Sequence, residues 1–169
     1  MTVPPWLHNA LDFSLTLSYW QTLGLAFLLG SFSVATWSDL KRLSAQREFL
    51  EIWLVFMCGM LVYDIYQGRV HEGAEWEVIA VKWGLIGVLS VLSLDRIGVL
   101  FRLARADVEA MAAAASLLSP VLIVAFFVQA KVIAWIIGPL LRRGRTHWPF
   151  MPVVTLATLG TLVLGWLCR

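Results

Sequence analysis

Between Phe13 and Ser38 the chain carries no formal charge, and Asp39 closes that run. About 20 mostly apolar residues cross the hydrocarbon core of a bilayer, so such a run predicts a spanning helix, placed at 15–37. Further apolar runs predict spans at 49–66, with Glu51 and Asp64 near its ends, and at 78–101, flanked by Lys82 and by Asp95-Arg96. From Ala110 to Leu141 the only charge is Lys131, and Ser119-Pro120 interrupts the stretch. Proline ends or kinks the preceding helix, which splits this region into 107–118 and 120–141. At about 1.5 Å per residue the first piece is only about 18 Å long. It is too short to cross alone and is expected to be cradled by neighbours. A last span falls at 150–167.

The expected fold class is therefore an all-α integral membrane protein. A single domain over 1–169 would hold about six transmembrane helices, one of them short. Composition points the same way: 60% of residues are hydrophobic and 14% charged, where soluble domains carry about 25% charged residues. Mean hydropathy is +0.79.

Basic residues mark alternate loops. Lys41, Arg42 and Arg47 follow the first span, Arg102 and Arg105 the third, and Arg142, Arg143 and Arg145 the fifth, whereas the 67–77 loop is mostly acidic. By the positive-inside rule the basic loops face the cytoplasm and the N-terminus lies outside. Two basic loops on one side require an even number of crossings between Arg105 and Arg142, which independently supports the break at Pro120. Met1 to Leu11 has no basic region before its apolar run, so no cleaved signal peptide is expected. Pro4, Pro5 and Trp6 read as an interfacial lead-in.

Other features are read more plainly. Cys58 and Cys168 lie in apolar segments with no CxxC, so neither a disulfide framework nor a zinc site is expected. His71 and His147 have no companion at metal-ligand spacing and read as solvated loop residues. Trp37, Trp53, Trp76, Trp135, Trp148 and Trp166 fall mostly near helix ends, as an aromatic belt does. Lys131 is expected to snorkel or to pack between helices, and Asp95-Arg96 to form a local interfacial pair. The basic residues come in twos and threes beside apolar runs, which excludes a nucleic-acid surface.

Two acids remain. Asp39 ends the first apolar run in Trp37-Ser38-Asp39-Leu40-Lys41-Arg42, and Asp107 opens another in Ala104-Arg105-Ala106-Asp107-Val108-Glu109. Both fall at the cytoplasmic interface by this topology. Ionisable groups near membrane depth are costly, and two carboxylates forced together share a proton because both cannot easily ionise. One can then deprotonate a water while the other polarises a carbonyl. Asp at a helix end also serves as a simple cap or interfacial charge, and spacing alone leaves both roles open.

The order of these two segments, followed by Trp148-Pro149-Phe150-Met151-Pro152 before a final apolar helix, resembles the prepilin peptidase family. These are membrane aspartyl proteases of the GxGD type, with preflagellin peptidases as the archaeal branch. The resemblance runs from about Ser31 to Gly165 and implies Asp39 and Asp107 as the catalytic pair. It also implies cleavage of the basic leader of pilin-like or archaellin-like precursors at the cytoplasmic face, with the precursor and the bilayer as partners and no cofactor or metal. Arg42, Arg105, Glu109, Glu48 and Phe150 are candidate modulators or substrate contacts, Glu48 and Glu51 as acids that attract a basic leader.

The chain departs from the family pattern at several points. Leu43-Ser44-Ala45-Gln46 replaces an Ile-Pro-Asn, and Ala104, Arg105 and Ala106 replace the glycines before the second Asp. Glu109 stands where the family has Lys, and Met151 where it has Gly. The paired CxxC motifs of the larger, methylating bacterial members are missing. The alternatives are a catalytically altered relative acting as a membrane scaffold or accessory subunit, and a small transporter using Lys131, Asp95 and the acids as a relay.

Overall fold

The computed structural model describes residues 11, 13, 15–42, 47–70, 75–142 and 149–168. Expectations for Pro4, Pro5, Trp6, His71, His147, Trp148, Arg143, Arg145 and the 43–46 segment lie outside the described residues. Those described form six helices and no strand: α1 (Tyr19–Arg42), α2 (Arg47–Val70), α3 (Glu75–Ser93), α4 (Arg105–Ala115), α5 (Pro120–Arg142) and α6 (Met151–Leu167). Four of them, α1, α2, α3 and α5, are long and apolar enough to cross a membrane. The 11 residues of α4 make only about 16 Å.

The shortness of α4 explains its place. Val108 and Ala110–Ala115 are all buried, and the helix packs against α1, α2, α3 and α6 at the centre of the bundle. Alanine lets neighbouring backbones approach closely, which suits a helix surrounded by others. After Ala115 the chain turns; Ser116 Oγ donates to the Ala113 carbonyl at 2.7 Å. Pro120 then opens α5, where its missing N–H costs nothing.

Several expected boundaries move: α1 begins at Tyr19 rather than 15, and α2 through Val70 and α3 from Glu75 take in parts of the expected 67–77 loop. The first helix does not stop at Trp37 but continues through Asp39, and its buried stripe runs Leu28, Phe32, Ala35, Asp39. The third ends at Ser93, well short of 101. Polar Asp95 and Arg96 are exposed there, and Gly98 takes φ +61°, a backbone conformation that side-chain-bearing residues avoid. Residues 94–104 fold instead into a compact turn. Asp95 N–H donates to the Leu103 carbonyl and Leu103 N–H to that of Ser93, both at 3.1 Å.

One tryptophan leaves the aromatic belt. Trp53 is fully buried, edge-on to Phe32 and stacked on Phe49, and donates to Ser31 Oγ at 3.0 Å. Trp37, Trp76, Trp135 and Trp166 are exposed, as a belt requires.

Candidate active site

Asp39 is carried on the buried stripe of α1, which turns it inward at the end of the helix where the basic residues cluster. Its Oδ2 accepts the Met151 N–H at 3.1 Å, and the Phe150 main chain is a second backbone partner. The free N–H groups of a helix's first turn need partners, and a carboxylate suits that electropositive end. One turn earlier, Thr36 and Thr155 hydroxyls meet at 2.9 Å and tie the same two helices.

Asp107 lies in the first turn of α4, its N–H donating to the Ala104 carbonyl at 3.1 Å. Burial, followed by the negative charge of Asp39, pushes its carboxyl up to about 7. The two acids, distant along the chain, therefore act on each other across the α1–α4 contact.

The surrounding candidates separate into two groups. Phe150 is buried beside the pair as the N-cap of α6, with its ring edge-on to Phe101 at 5.7 Å. Arg105 turns outward: Nε donates to Glu109 Oε1 at 2.6 Å, one helical turn along. The cation beside Asp107 in sequence is thus engaged by Glu109. Glu48 is exposed at the start of α2 and lines an apolar groove with Phe27, Ile52, Val55 and Phe56, away from the acid pair. Arg42 closes α1, and its side chain lies outside the described residues. Among the described residues no three His, Cys, Asp or Glu side chains converge as a metal site would require.

Sequence reasoning missed two features. One is the Met151 N–H as partner to Asp39, which no side-chain pattern announces. The other is a buried ion pair between α2 and α3, helices other than those that carry the acids: Lys82 Nζ to Asp64 Oδ2 at 2.7 Å, with Trp83 Nε1 donating to the same oxygen at 2.9 Å. Opposite charges inside two adjacent apolar runs were a usable signal for that pair. No family model, curated protein or solved structure matches the chain.

Proposed function

We propose that this protein is a membrane aspartyl endopeptidase that cleaves the basic leader of pilin-like or archaellin-like precursors, as the resemblance in its motifs implies. The observation that carries the reading is the packing of α4 on α1, which brings half-buried Asp107 within electrostatic reach of buried Asp39, far from it in sequence. In this reading all six helices form one multi-pass domain of the cytoplasmic membrane, with α4 held inside it. The N-terminus is outside, and the acid pair faces the cytoplasm together with the basic chain ends.

The pair works as one unit. The ionised carboxylate takes a proton from a water, whose oxygen bonds to the scissile carbonyl carbon. The protonated carboxyl gives its proton to the carbonyl oxygen. Collapse of the tetrahedral species breaks the C–N bond: one of its hydroxyls returns a proton to the carboxylate that gave one, while the other carboxyl passes its proton to the leaving amine.

The test is cleavage of a precursor bearing a basic leader and an apolar helix, in membranes or detergent. Asp39→Asn and Asp107→Asn are each expected to abolish processing while expression and folding persist. A variant that cuts at the wild-type rate overturns the reading and leaves the scaffold role.

A further inference from the structure

Lys131 is the single charge in the interior of α5, eleven residues from Pro120 and eleven from Arg142. About 16 Å of helix therefore separates it from either end, beyond easy reach of a snorkelling side chain. Lys131 is exposed on the bundle, and an ammonium inside an apolar run of spanning length is costly unless something receives it. Its partners are specific: Nζ donates to the Leu100 carbonyl and lies 4.9 Å from the centre of the Phe101 ring, a cation–π contact.

Both partners belong to the 94–104 turn, which abuts the two acids by separate routes. Phe101 is buried against Phe150, and Phe150 precedes the Met151 N–H that holds Asp39. In the other direction, Leu103 leads to Ala104, whose carbonyl accepts the N–H groups of Asp107 and Val108. An apolar residue at position 131 would pack well enough for a bundle. It would not tie this turn to α5.

We propose that Lys131 is a positioning residue: by clamping Leu100 and Phe101 it sets the 94–104 turn, and through it the placement of both Asp39 and Asp107. The claim rests on the protease reading for its kinetic consequence and on geometry alone for its structural one. Two measurements keep those apart.

The first is residue-level amide exchange on the full-length protein in detergent. Lys131→Met keeps the length and removes the charge. It is expected to speed exchange at Leu100, Leu103 and Met151 at least tenfold, with the α1–α2 amides unchanged. Unaltered protection at those three positions overturns the inference, whether or not the protein cleaves anything. The second is kinetics on a pilin-like precursor. Lys131→Met is expected to lower kcat at least tenfold with KM within twofold of wild type, and Lys131→Arg, which keeps charge and donors, to restore most of it. A wild-type kcat in Lys131→Met, or no rescue by Lys131→Arg, sinks the positioning role while the protease reading stands. An inactive wild type with a loosened turn in Lys131→Met sinks the protease reading and leaves the clamp.

Discussion

The Met151 N–H donates to Asp39 Oδ2 at 3.1 Å, joining the end of α1 to the first turn of α6. This one contact gives Asp39 a structural duty beside its proposed chemical one, and substitutions separate the two. Asn keeps an oxygen acceptor for Met151, so Asp39→Asn should unfold within a few degrees of wild type yet lose cleavage. Asp39→Leu removes the acceptor and leaves a buried N–H unsatisfied, at a cost of about 1–3 kcal/mol. Thermal unfolding of both variants in one detergent checks the difference. Equal melting of the two would mean that the bond contributes nothing to the α1–α6 contact.

Asp107 makes stability depend on pH. Its carboxyl, raised from 3.8 to about 7 by burial and then by Asp39, keeps in the folded state a proton that the unfolded chain gives up near pH 4. Between those limits the native state binds more protons, so stability falls as pH rises from about 4 to about 7, by up to about 4 kcal/mol. Above 7 both states are ionised and the dependence flattens. Melting temperatures across this window should decline in the wild type and lose that component of the slope in Asp107→Asn. Cleavage should likewise weaken above pH 7, where the pair no longer holds its proton.

Lys82 and Asp64 are both buried and meet at 2.7 Å, with Trp83 completing the oxygen's partners. Breaking such a pair strands one charge, so Asp64→Asn or Lys82→Met alone should cost about 3–5 kcal/mol, whereas Asp64→Leu combined with Lys82→Met should cost less than the sum. The double variant should still process precursor, because the pair joins helices other than those that carry the acids. A thermal-melt cycle over the four proteins measures the coupling, and strict additivity would show the two charges to be energetically independent.

Arg105 contrasts with that pair. Its side chain is 82% exposed although it bonds Glu109 at 2.6 Å. An ion pair open to solvent contributes under about 1 kcal/mol, so Arg105→Gln should leave the melting temperature almost unmoved. If it instead displaces the pH window of Asp107, the guanidinium acts on that acid after all.

The helices were legible because each obeys a local rule. An uncharged run of spanning length announced α1, a mostly apolar one with acids near its ends announced α2, and Pro120 announced the break that leaves α4 short. The inward turn of Asp39 was implicit in the Leu28, Phe32, Ala35, Asp39 spacing, which keeps one helical face. What stayed hidden depends on contacts between segments far apart. Sequence spacing does not tell that α1 touches α4, that a main-chain N–H of α6 seeks a carboxylate of α1, or that Lys131 finds a carbonyl in a turn. That turn was itself read as helix, since Leu94, Ile97, Val99, Leu100 and Phe101 continue an apolar pattern. Apolar composition does not reveal where a backbone reverses.

The reversal centres on Gly98, and its chemistry there can be tested. At φ +61° an added Cβ is strained, and it would also lie 3.0 Å from the Arg102 Cγ. Left-handed backbone costs an ordinary residue about 1–2 kcal/mol, while Asn tolerates it better through local hydrogen bonding. Stability should therefore fall in the order Gly98, Asn, Ala, Val at this position, with Val worst because its branch stiffens the side chain. The same turn delivers the chain to Asp107, so precursor cleavage should fall in the same order, and for Ala and Val by more than the loss of folded protein accounts for. Unfolding curves and single-turnover cleavage on the four proteins read both effects. A Gly98→Ala variant as stable and as fast as wild type would show that the turn neither needs glycine nor governs the acid it leads to.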